Sequence, residues 1–214
     1  LTGHGHNRDA PGARWPPPGR ADDLLRDGDI LPSPGLDWEV LWTPGHTAGH
    51  ICLVDRVARR ILTGDHVLPT VFPGIGIGPE AGAGPVGGSP VADYLASLRR
   101  LPPYDDFEVL PGHGYRFRGL AARRREMEEH VLRRAGEVAT AAVTDPGATV
   151  WEIAAQLTWT GGWERLSAGP MLYSALLQVG YYLDFVRAGG SGRIGDVGDP
   201  ASDPSSGSSR AARS

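Results

Sequence analysis

Two imidazoles and one carboxylate stand out by their setting. His46 lies in Thr43-Pro44-Gly45-His46-Thr47-Ala48-Gly49-His50, Asp65 in Leu62-Thr63-Gly64-Asp65-His66, and His113 in Leu110-Pro111-Gly112-His113-Gly114. Each segment follows a short apolar stretch with strand character. A loop leaving a strand end can aim one side chain into a shared cleft, and Gly and Pro permit the sharp exit this needs. Imidazole and carboxylate are suitable ligands for Zn2+, and a metal with an open position brings the pKa of its water to about 7, which makes hydroxide available at neutral pH. The chemistry these groups could do together is hydrolysis. Taken alone, a His after Pro-Gly is most simply a turn residue; the weight comes from three strand–turn–ligand units in one chain.

The elements that must position these residues are readable from periodicity. Trp38-Glu39-Val40-Leu41-Trp42 alternates, with Trp38, Val40 and Trp42 on one side, and Ile51 to Val54 is continuously apolar. Arg60-Ile61-Leu62 follows across a short Asp55–Arg59 connection, and Phe107 to Leu110 reads as a further strand. Ser89-Pro90 offers an N-cap with proline at the first helical position, and Val91, Tyr94, Leu95 and Leu98 fall at helical spacing until Leu101-Pro102-Pro103 stops the pattern. A longer helix carries Leu120, Met127, Val131, Leu132, Ala135 and Val138. Thr149 and Glu152 then form a capping box before Val150, Ile153, Ala154 and Leu157, and another helix opens near Pro170 with Leu172, Ala175, Leu176, Val179, Leu183 and Val186. Residues 71–90 form a Gly/Pro loop of a length that is more often functional than neutral in a compact domain, so it is a candidate wall for a substrate cleft.

These readings divide the chain into an irregular segment (1–21), an α/β domain (22–138), a small α-rich domain (139–188) and a disordered tail (189–214). The formal net charge of −4 and pI near 6.0 give no broad attraction to nucleic acid or an anionic membrane. Between Pro170 and Arg187 the basic residue is Arg187 and the acid is Asp184, which argues against groove reading by that helix. No apolar run approaches the roughly 18 residues of a membrane span, and no signal-peptide pattern is present, so the expected compartment is the cytoplasm. The lone Cys52, within Ile51-Cys52-Leu53-Val54, is expected to be a small buried hydrophobe. The chain begins at Leu1 rather than Met, which leaves open a start inside a longer protein.

The ordered set TPGHTAGH, TGDH and PGHG resembles the third, fourth and fifth motifs of the metallo-β-lactamase superfamily. The resemblance runs from about Asp22 to Leu132 and implies an αββα sandwich, here in its C-terminal part. The segment after it resembles the winged-helix-like extension of the subgroup with the β-lactamase-like protein 2 and hydroxyacylglutathione hydrolase-like members. By the resemblance, His46 would bind a first zinc, Asp65 would bridge two, and His113 would bind the second. His50 and His66 match positions that are not usual ligands, and are expected to give a supporting hydrogen bond or a cleft-wall contact. No further catalytic residue is assigned.

The family's second motif, H-x-H-x-D-H, is not found. The nearest string is His4-Gly5-His6-Asn7-Arg8-Asp9, with Ala10 in place of a following His, and it is given no ligand role. Without that motif each metal would keep about two protein ligands, fewer than zinc usually takes, so affinity is expected to be poor. The half of the sandwich that carries it would also cover one sheet face, so incomplete burial is expected for Trp38, Val40 and Trp42. Two readings follow: a metal-dependent hydrolase of a small-molecule substrate, or a non-catalytic remnant that serves binding or assembly. The oligomeric state is left open.

Overall fold

Alternation and short connections make the sheet. The computed structural model of the chain describes residues 23–78 and 88–190. Within it the alternating run becomes β2 (Leu36–Trp42), preceded by β1 (Ile30–Ser33) and followed by β3 (Ile51–Asp55), β4 (Arg60–Gly64) and β5 (Glu108–Pro111). The strands lie in sequence order, antiparallel up to β4, with β5 parallel to β4. A parallel neighbour requires a crossover, and α1 (Pro90–Leu98) lies in it. Ser89 caps α1 by accepting from the Ala92 amide, with Pro90 in the first turn, as the sequence predicts. At the β3–β4 turn, Asp55 Oδ1 accepts from the amides of Val57 and Ala58.

The two sheet faces differ. Leu41, Cys52, Val54, Ile61 and Val109 are buried and share one continuous core with Val91, Leu95 and Leu98 of α1 and with the helices after β5. Burial pushes the Cys52 thiol up to about 12, in keeping with an inert packed side chain. On the opposite face Val40 pairs with Leu53, and Leu53 with Leu62. Trp38, Trp42, Leu53 and Leu62 there are only half-buried, while Val40 is 1% exposed, so the expected incomplete burial holds for the tryptophans and not for the valine.

After β5, α2 runs from Leu120 to Thr144, unbroken through the boundary expected at 138/139. Three helices follow: α3 (Val150–Gln156), capped by the Thr149–Glu152 box, α4 (Trp163–Ser167) and α5 (Leu172–Phe185). The described part of 139–188 contains no strand that would make a wing. Val179, Tyr182, Leu183 and Phe185 of α5 join the same core as the sheet, so these helices are built onto the α/β layer. No helix among the described residues is long and apolar enough to cross a membrane. Residues 1–22, with His4 and His6, and the tail from 191 onward lie outside the described residues.

Candidate metal centre and its cleft

His46, Asp65 and His113 leave the ends of β2, β4 and β5, and the three loops converge because these strand ends lie along one edge of the sheet. The loop after β2 is braced from several sides. The Thr43 amide donates to the His50 carbonyl (2.9 Å), Trp42 Nε1 donates to the Ala48 carbonyl (2.9 Å), and Ser97 Oγ of α1 donates to the Pro44 carbonyl (2.8 Å). The loop after β4 is closed by Thr63 Oγ1 donating to the Val67 carbonyl (2.8 Å), and joined to the next loop by the Gly112 amide donating to the Gly64 carbonyl (2.7 Å).

The geometry divides the Asp65 carboxylate between the two imidazoles. His113 Nδ1 lies 2.5 Å from Oδ1, and His46 Nε2 lies 3.6 Å from Oδ2. On its other side His46 Nδ1 is 2.7 Å from the Gly74 carbonyl. A carbonyl only accepts, so Nδ1 carries the hydrogen, and in the neutral ring Nε2 presents a bare lone pair to a carboxylate oxygen. Two acceptors face each other across a gap that a proton or a cation would bridge. That is a donor set in which a metal fits in kind, with a different imidazole toward each carboxylate oxygen. No group of three or more His, Cys, Asp or Glu among the described residues is arranged to hold one ion.

His50 and His66 sit behind this trio. His50 Nδ1 is hydrogen-bonded to Thr43 Oγ1 at 2.9 Å, and its ring meets that of His46 edge-on with centroids 6.0 Å apart. Burial, followed by the nearby His46, pushes His50 down to about 4, against the opposing pull of Asp65 and the Thr43 hydrogen bond. His66 is fully buried, 4.7 Å from the Tyr94 ring, and neither ring nitrogen has a hydrogen-bond partner among the described residues. Burial above all holds it well below the usual histidine range. Its backbone carbonyl accepts from Tyr94 Oη at 2.8 Å. His50 therefore supplies a hydrogen bond within the loop after β2, and His66 contributes packing.

His46 also lines a cavity of about 770 Å3 that opens between residues 70–77 and helices α2 and α5. Phe72, Ile75, Met127, Val131, Trp159 and Val179 give it apolar walls, and His130, Arg134 and Gln178 give it polar points. Residues 71–75 and 77 of the Gly/Pro loop line this cavity, residues 88–90 do not, and residues 79–87 lie outside the described residues. Gln178 carried no sequence signal, since its loop partner Ile75 lies 103 positions away.

His130 gives this wall a pH response. Its ring stacks on Phe72 with centroids 3.8 Å apart, and burial, then Arg133 and Arg134, push it down to about 4. The folded ring thus binds fewer protons than the unfolded one below the ordinary histidine value. Its contribution is intact above about pH 6.5 and is lost as pH falls toward about 4. His130→Gln is expected to flatten the stability–pH curve across that window, read by thermal melts. Parallel curves for the two proteins would contradict this.

Comparison with known proteins places the chain and its fold in a class. The family model described as the metallo-beta-lactamase superfamily matches residues 2–113, and the chain belongs to that superfamily. The match begins about 20 residues before the start read from the motifs alone, and so takes in the His4–His6 string. The chain is 36% identical over 112 residues to the probable metallo-hydrolase YqjP of Bacillus subtilis, covering 45% of this chain and 34% of that one. It is 35% identical over 103 residues to the acyl-coenzyme A thioesterase MBLAC2 of Gallus gallus, covering 45% and 33%. Among solved structures, a beta-lactamase domain protein from Burkholderia ambifaria matches with a TM-score of 0.65 and 26% identity, covering 81% of this chain and 49% of that one. A metallo-beta-lactamase family protein from Thermus thermophilus gives 0.60 and 27%, covering 78% and 49%. The chain thus spans about a third of the length of these curated relatives and about half of these structures.

Proposed function

We propose that the chain carries the C-terminal metal ligands and the substrate cleft of a metal-dependent hydrolase. His46 would hold one zinc, His113 a second, and Asp65 would bridge them. The observation that carries this reading is the Asp65 carboxylate, with Oδ1 toward His113 Nδ1 and Oδ2 toward His46 Nε2. A bound metal supplies Lewis acidity and activates water at neutral pH. The chain's own residues do the rest: Gly74 orients the His46 ring, Thr43 and His50 brace its loop, and the apolar cleft walls exclude water from the adjoining space.

The substrate we infer is a small thioester with an apolar acyl group. The cleft beside His46 is walled mainly by apolar side chains, and one relative is by name an acyl-coenzyme A thioesterase. The net charge of −4 does not favour nucleic acid. Hydrolysis of acyl thioesters by the zinc-loaded chain, stopped by a chelator and restored by zinc, is the expected result. Chelator-insensitive turnover, or none on thioesters, lactones and β-lactams, would sink the enzyme reading.

A second reading, a non-catalytic binding module, draws on the absence among the described residues of a three-ligand group around one ion. It predicts that acyl thioesters bind the cleft and stay intact.

A further inference from the structure

We infer that Gln178 of α5 is a positioning residue that, through residues 74–77, sets which nitrogen of His46 carries the hydrogen. The inference rests on His46 being a metal ligand for its functional consequence, though not for its structural content.

Residues 74–77 form a strap held on both sides. Toward the loop after β2, the Gly76 amide donates to the Gly45 carbonyl (2.8 Å), and the Ile77 amide donates to the His46 carbonyl (2.7 Å). His46 Nδ1 returns a hydrogen bond to the Gly74 carbonyl at 2.7 Å. Toward α5, Gln178 Oε1 accepts from the Ile75 amide at 3.1 Å. The Ile75 side chain is 2% exposed, which seats the strap in the core. At Gly76, with φ +74, an added Cβ would lie 2.3 Å from the Tyr181 ring, so strap and helix are in direct contact.

An imidazole chooses its neutral tautomer by the hydrogen bond its other nitrogen makes. In the strap the Gly74 carbonyl fixes Nδ1–H and leaves Nε2 bare toward Asp65. Gly74 is itself fixed only as well as the strap is, and among the described residues the side-chain hydrogen bond that ties the strap to α5 is the one Gln178 Oε1 accepts from the Ile75 amide. Loss of that acceptor leaves the buried Ile75 amide without its partner and frees the carbonyl beside it to move. The His46 ring would then exchange between its two tautomers, and Nε2 would spend part of its time protonated and unable to ligate.

The test is long-range proton–nitrogen correlation spectroscopy on the metal-free full chain at pH 8, with the His46 signals assigned by their loss in His46→Ala. Wild type and Gln178→Glu, which keeps the acceptor, are expected to show the Nδ1–H tautomer. Gln178→Leu, which keeps the size and loses the acceptor, is expected to show averaged nitrogen shifts and a roughly 10-fold weaker Zn2+ affinity by calorimetry. Unchanged His46 nitrogen shifts in Gln178→Leu would overturn the inference, even with zinc bound normally. Averaged shifts with no zinc bound by any form would uphold it and reject the metal reading instead. Should Gln178→Leu fail to fold, amide exchange in the wild type decides: slow exchange at Ile75 upholds the tie to α5, and unprotected exchange overturns it.

Discussion

Gly45→Ala is expected to lower the melting temperature by roughly 10 °C or more, a large stability loss for a single added methyl group. Gly45 has φ +134, and a Cβ there would lie 2.5 Å from both Cα and Cβ of Tyr94 and 2.7 Å from its nitrogen. Those atoms belong to a helix rather than to a flexible side-chain end. Tyr94 is itself 1% exposed and tied through its hydroxyl to the His66 carbonyl, so α1 cannot step aside without opening the core. Strain and overpacking at one position place the cost at about 4 kcal/mol or more, a large part of the 5–15 kcal/mol that holds a typical domain. The same approach of loop to helix is what carries His46 to the sheet edge. A melting temperature within about 3 °C of wild type would show that α1 and the loop after β2 are not packed as described.

If the chain acts as the proposed zinc-dependent thioesterase, Asp65→Ala is expected to reduce that hydrolysis by on the order of 1000-fold, corresponding to about 4 kcal/mol of lost transition-state stabilisation. The carboxylate is the one anionic member of the trio, and both imidazoles turn toward it, His113 at 2.5 Å and His46 at 3.6 Å. Its removal takes a donor from each proposed ion at once. The Asp65 side chain is 26% exposed, so the fold should tolerate the change and circular dichroism should match wild type. His50→Ala serves as the contrast: its ring bonds to Thr43 rather than to Asp65, and its loss should cost far less in rate. Equal rates in Asp65→Ala and wild type would remove Asp65 from the chemistry.

Much of this was legible in the residues. Trp38–Trp42, Ile51–Val54 and Ser89–Leu98 declared two strands and a helix, because alternation, an apolar run and an N-cap are local signals and the structure honours them. The edge strand Ile30–Ser33 was silent, since Pro32 breaks its pattern and its side chains are mostly exposed. Helix α2 outran its expected end at Val138 because Ala141 is the one residue of its last turns that is buried, too weak a stripe to read. Helix α4 is five residues with none buried, so it had no periodicity to show.

The candidate site divides the same way. His46, Asp65 and His113 could be picked out because each follows a strand within a turn motif, and the sheet brings the three ends together. What fixes the His46 ring could not be read. Residues 71–78 look like unstructured Gly/Pro chain, yet Ile75 is buried and the strap's bonds reach Gly45, His46 and Gln178. Contacts at such separations are made by the tertiary fold and leave no trace in local composition.

His46, Asp65 and His113 are proposed to ligate metal together. Zinc titration of the purified chain followed by calorimetry at equilibrium, beside His46→Ala, Asp65→Ala and His113→Ala, tests this most directly. Bound zinc is expected in the wild type, with a partial loss in each histidine variant and a near-complete loss in Asp65→Ala. Zinc bound equally by all four proteins, or by none of them, would contradict the proposal.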